Sequence, residues 1–146
     1  MNHVTEKKLN NKGFSLVELI IVIAIMAVLV GVLAPQYLRY VERSRVSSDR
    51  DNIEAIIGAI QVHGADVNAT NALANGNSIT ITRTATAVPA NTTAIGEALR
   101  NAGITNNLVL TNRQTFDQVV ITVNIDGNGI ITITPAYTNG GTAVTF

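Results

Sequence analysis

The feature that most constrains this chain is a long stretch without charge. From Leu19 to Ala34 sixteen consecutive residues carry no ionisable side chain, and allowing only Gln36 the uncharged span reaches Leu38. That is about the ~20 residues with which a helix crosses the hydrocarbon core of a bilayer. Glu18 stands just inside its edge. A carboxylate at the bilayer centre costs roughly 2.5–3.5 kcal/mol, so an acid in an otherwise clean span points to a function. Ahead of it, residues 1–13 are mostly polar and hold Lys7, Lys8 and Lys12. By the positive-inside bias they read as a cytoplasmic leader, with the rest of the chain outside.

The residues Gly13-Phe14-Ser15-Leu16-Val17-Glu18 carry a resemblance. A basic leader ending in Gly, then Phe, a few small or apolar residues and Glu fifth after the Gly resembles the type IV pilin family, pseudopilins included. The likeness covers Lys7 to about Tyr40. It implies that a membrane-embedded aspartic prepilin peptidase cuts between Gly13 and Phe14 and that the new Phe14 amine is methylated. It also implies that Glu18 meets the Phe14 amine of a neighbouring subunit in a helical filament. A mismatched stagger would bury a charge without a partner, at a cost of several kcal/mol, so the pair would fix register. The plainer reading of Glu18 is a favourable interaction with the helix dipole. Two other readings compete for the N-terminus. A secretory signal peptide would be cut after Ala34, where Val32-Leu33-Ala34 is a poor site and Pro35 follows. An uncleaved anchor is the other.

From Phe14 the pattern predicts one long helix. Gly31 and Pro35 are its weak point, because Pro35 lacks the N–H that would bond Gly31. A simple kink is one reading, and the resemblance implies that this stretch loses helicity when subunits pack. Residues 39–51 are charged, and the spacings Arg39–Glu42, Glu42–Arg45 and Arg45–Asp49 predict ion pairs along a solvated face. Val46, Ile53, Ile56, Ile57 and Ile60 then form an apolar stripe that dies at Gly64-Ala65-Asp66.

The remaining residues predict a small strand-rich head, with Thr and Asn at 28 of the 80 positions after Asp66 and only six charges. A head this small must borrow a core surface, and the helix is the lender. Ser78–Thr84 alternates as a strand. Residues 93–102 predict a short helix with Ile95, Ala98, Leu99 and Ala102 on one face, Thr92 or Thr93 as cap and Gly103 as stop. Leu108-Val109-Leu110 predicts a short strand. Val119–Ile125 and Ile130–Tyr137, joined by Asp126-Gly127-Asn128-Gly129, predict a hairpin. Pro135 should end the second run or place it at an edge, and residues 138–146 should cover one side of the sheet.

Several chemistries find little support. The chain has no cysteine, so no disulfide holds its C-terminal loops; the resemblance then leans toward pilins of Gram-positive type. All three lysines lie in the leader, which argues against a sortase-type subunit, crosslinked through lysine. Residues 14–146 hold seven arginines and nine acids, and few aromatics, which disfavours nucleic-acid binding. The loop from Asn124 reads N-x-D-x-N-G, but Pro135 stands where a calcium loop needs Glu, so a turn is expected. His63 has no metal-ligand partner in sequence and reads as a surface residue. Asn68-Ala69-Thr70 and Asn91-Thr92-Thr93 match glycosylation acceptors, a frequent coincidence in so Asn/Thr-rich a chain. No enzyme, cofactor or metal site is expected.

The expected fold is therefore α+β, a pilin-like lollipop: leader 1–13, apolar helix half 14–38, amphipathic half 39–66 and β-rich head 67–146. Two functions stay open. One is a type IV pilin of a surface fibre for adhesion, motility or DNA uptake, with the assembly platform, its motor and the cytoplasmic membrane as partners. The other is a pseudopilin of a secretion or competence system.

Overall fold

The computed structural model of the chain describes residues 13–90 and 92–146. The leader lysines and Asn91 fall outside the described residues. The chain divides after Arg39 into two compact units.

Helix α1 (Leu16–Ala65) is unbroken and passes through Gly31 and Pro35 as helix. A proline removes one ladder bond and costs about 3 kcal/mol, which fifty helical residues absorb. In the first unit every described residue is exposed. Its apolar window, with a mean hydropathy of 3.1, has none of its residues buried. By length and composition this helix can cross a membrane.

In the second unit, residues 40–65 of α1 lay one face on an antiparallel sheet, giving the expected α+β architecture. Ile53, Ile56 and Ile60 are buried there, and Val46 and Ile57 pack at the margin. Burial of each isoleucine is worth about 1.5–3 kcal/mol. Strand β1 (Ser78–Thr82) pairs with β2 (Gln118–Ile125), β2 with β3 (Ile131–Asn139), and β3 with β4 (Thr142–Val144). The sheet order follows the chain. Period-two alternation places Ile79, Ile81, Val119, Ile121 and Val123 inward, while Thr80, Thr132 and Thr134 stay exposed.

Helix α2 (Ala94–Asn101) closes the core with Ile95, Ala98 and Leu99. Thr93 is its cap, accepting from the Gly96 N–H at 3.1 Å. At its end Gly103 takes φ +79°, its N–H reaching the Arg100 carbonyl while Ile104 N–H reaches that of Leu99. This Schellman end returns Ile104 to the core. Ala102, expected on the inner face, is exposed, because the chain turns away there.

Three expectations need correction. Leu108–Leu110 is not a strand: it forms a single bridge to Thr86 and one bond from Leu110 N–H to the Thr82 carbonyl, because β1 already ends at Thr82. Residues 138–146 do not lie across the sheet but extend it. Gly140 and Gly141, at φ +57° and +81°, make the two-residue turn into β4. Pro135 does not end β3, yet it is paired on one side only, to Ile121, since the pairing with β4 begins at Tyr137. The Asp-Gly-Asn-Gly hairpin forms as expected. Asp126 Oδ1 accepts from the N–H groups of Asn128 and Ile130 at 2.9 and 2.8 Å, an Asx-type turn.

Candidate assembly site and the carboxylate clamps of helix α1

Gly13, Phe14 and Ser15 lie outside the helix, and the Phe14 ring is 94% exposed. Ser15 is the N-cap of α1, its Oγ accepting from Val17 N–H at 3.3 Å. Glu18 reaches back in return, its Oε2 accepting the Ser15 N–H at 2.9 Å. Ser-x-x-Glu is thus a capping box. The cap was legible in the spacing of Ser15 and Glu18, and it adds a local partner to the dipole reading of that acid.

Residues 8–34 match the family described as the prokaryotic N-terminal methylation motif. Similarity to named proteins covers short stretches. The chain is 37% identical over 49 residues to the type IV major pilin protein PilA of Myxococcus xanthus, covering 34% of this chain and 22% of that protein. It is 53% identical over 36 residues to the type IV major fimbrial protein FimA of Dichelobacter nodosus, covering 25% of this chain and 23% of that one.

The chain thus carries the prokaryotic N-terminal methylation motif and is similar, over part of its length, to type IV pilin and fimbrial proteins. It spans less than a quarter of the length of these relatives, and no solved structure matches it.

Two acids on the second half of α1, expected to pair with arginines, serve the head instead. Asp49 is 1% exposed. Its Oδ1 accepts from Thr111 N–H and Oγ1–H, both at 2.8 Å. Its Oδ2 accepts from Thr111 N–H at 3.0 Å, and from Asn112 N–H and Nδ2–H at 2.8 Å. Asn112 in turn accepts the Phe116 N–H at 3.0 Å, seating that buried ring. Glu42 Oε1 accepts from the N–H groups of Arg113 and Gln114, both at 2.8 Å. Partial burial would raise the Glu42 pKa, but the N–H groups of Gln114, Arg113 and Thr115, with Arg45 nearby, hold it below the usual value. The two carboxylates thus fasten residues 111–114 to the helix. A signal for Asp49 did exist: it stands three residues after Val46 and four before Ile53, inside the apolar stripe.

A second latch holds the turn after α1. Glu97, 8% exposed on α2, accepts from Thr70 N–H and Asn71 N–H at 2.9 Å and from Asn71 Nδ2–H at 2.7 Å. Those bonds, the one from Thr70 first, lower its pKa. His63 is not a surface residue as expected but 5% exposed, because it continues the stripe one turn beyond Ile60. Its Nε2 lies 2.7 Å from the Asn71 carbonyl and so carries the proton, and its buried Nδ1 has no hydrogen-bond partner.

The C-terminus is held by rings. Phe116, Tyr137 and Phe146 meet edge to face at centroid distances of 5.1, 5.8 and 5.0 Å. The Arg50 guanidinium lies 5.0 Å from the Phe146 centroid. This cluster and Arg50 tie the last residues to α1. Among the described residues no group of three His, Cys, Asp or Glu could hold a metal ion.

Proposed function

We propose that this chain is the structural subunit, a pilin, of a type IV pilus, polymerising through its N-terminal helix into a surface fibre for adhesion, motility or DNA uptake. The observation that carries this reading is an apolar helix exposed on every side, opened by the Gly13-Phe14 and Glu18 pattern. Such a surface needs lipid before assembly and like helices after it. On this reading residues 1–13 are a leader, 14–38 the membrane and filament segment, 39–66 the supporting half of the helix and 67–146 the head.

Prepilin peptidase cuts Gly13–Phe14, and the Phe14 amine is then methylated. The scissile bond lies just ahead of the capped helix, where an extended strand can enter a protease site. Glu18 exchanges its capping bond for the amine of a neighbouring Phe14, and that pair sets the stagger. Gly31 and Pro35 mark where helicity yields on packing. The assembly platform and its motor extract the subunit from the cytoplasmic membrane.

A pseudopilin role in secretion or competence is the second reading, since the same N-terminal motif serves it. The charge-poor Thr/Asn head favours the fibre. Sheared surface fibres decide between them: this chain should be their dominant band. Its absence there, together with loss of secretion on deletion, defeats the pilin reading. Gly13→Ala should slow or stop processing, and mass spectrometry of the mature chain should find Phe14 first. An intact leader, or a start after Ala34, refutes the cleavage site.

A further inference from the structure

We propose that Arg43, Arg45 and Arg113 form a cationic collar around one turn of α1 that binds anionic phospholipid headgroups before assembly. The proposal rests on the reading of α1 as a membrane helix. In sequence Arg43 and Arg45 follow Glu42 and read as part of a balanced, mixed-sign face. Tertiary structure shifts that balance. The bonds from Arg113 and Gln114 N–H to Glu42 bring Arg113, 71 residues along the chain, to the same turn of the helix.

That turn now carries Arg43 and Arg45, with the Arg113 backbone bonded to it, against one carboxylate that already accepts two N–H bonds. Arg43 and Arg113 are exposed and Arg45 is half-buried. The next acid along α1, Asp49, is buried and engaged by Thr111 and Asn112. Neither Arg43 nor Arg113 uses its side chain in a hydrogen bond that builds the head.

The axial position suits headgroups. Glu42 follows Leu38 by four residues, about 6 Å along the helix at 1.5 Å per residue. The headgroup layer on each side of a bilayer is about 5–7 Å deep. Tyr40, 73% exposed, stands in the same zone, where tyrosine's amphipathic ring is favoured. Guanidinium forks match phosphate geometry, and charge complementarity selects phosphatidylglycerol or cardiolipin over zwitterionic lipid. Each basic side chain near such a surface is worth about fivefold in binding.

The test uses the full chain reconstituted in phosphatidylcholine bilayers. Flotation with these vesicles tests membrane insertion alone. Titration with spin-labelled phosphatidylglycerol, against spin-labelled phosphatidylcholine, then reads the collar. Wild type should prefer the anionic lipid, and the preference should weaken with salt. Arg43→Gln with Arg113→Gln should lower it about fivefold per arginine removed, the leader lysines being common to both chains. Arg43→Lys with Arg113→Lys should retain most of it, which separates charge from any change in fold. Equal preference in wild type and the Gln variant overturns the collar while leaving the membrane helix intact. Unchanged lipid preference with reduced fibre yield assigns these arginines to acids on a neighbouring subunit, and also overturns it. Failure to float removes the membrane reading and the collar with it.

Discussion

Helix α1 is one element with two kinds of surface. Up to Leu38 its side chains are apolar on every side and none is buried. From Tyr40 onward Ile53, Ile56 and Ile60 are buried, and the acids that interrupt the stripe fasten loops. The same backbone geometry thus serves opposite ends. All-round apolarity leaves a surface only lipid or another helix can satisfy, whereas amphipathicity with embedded acids lets a small sheet fold on one side. Substitutions in the first half should change what the chain assembles into, and those in the second half should change whether the head folds.

The sharpest break in that comparison is Glu18→Ala. Fibre yield should fall to little or nothing, with subunit accumulating in the membrane fraction, while head stability is unchanged. Glu18→Asp should be intermediate, since the charge survives on a shorter arm. Normal fibres from Glu18→Ala would leave the carboxylate with only its bond to Ser15.

Asp49→Ala should act the other way round. Removing the carboxylate strands the N–H groups of Thr111 and Asn112, each at about 1–3 kcal/mol, and loosens the segment that seats Phe116. Denaturant unfolding of the head should show a loss of about 3 kcal/mol or more. A loss under about 1 kcal/mol would mean that the 111–114 loop holds itself.

Phe146→Ala tests the ring clasp. Edge-to-face pairs are worth about 0.5–1.5 kcal/mol and an exposed cation–π contact about 0.5–1. With Phe146 still 58% exposed, we expect a loss of about 1.5 kcal/mol and faster proteolysis of the last strand. Unaltered cleavage at residues 139–146 would exclude the rings as the fastening.

Acid should weaken only the second half, and mildly. Glu42 and Glu97 have lowered pKa values. Their contribution is fully present above the pKa of the unfolded chain and is lost as pH falls through the folded value. Head stability should therefore decline on going below the ordinary glutamate range. Glu42→Gln with Glu97→Gln should flatten that limb, and an identical acid profile in the variant would place the titration elsewhere.

The sequence by itself determined whatever repeats locally. The apolar run, the Ile stripe, the Asp-Gly-Asn-Gly hairpin, the cap at Thr92 or Thr93 and the Gly13-to-Glu18 motif rest on neighbours within a few residues, and each was readable. Strand β4 was not readable, because a three-residue strand gains its order only by pairing with Tyr137–Asn139. The stripe marked Asp49 and His63 as inward-facing, but what they and Glu97 meet there could not be read from sequence. A polar side chain faces inward only when donors or acceptors meet it there, and these come from Thr111, Asn71 and Thr70, eight to 62 residues away. The position of Arg113 beside Glu42 was hidden for the same reason. Tertiary structure alone decided which charges of α1 are spent inside the head and which stay exposed, because burial and hydrogen bonding are settled by the partner surface and not by the helix that carries them.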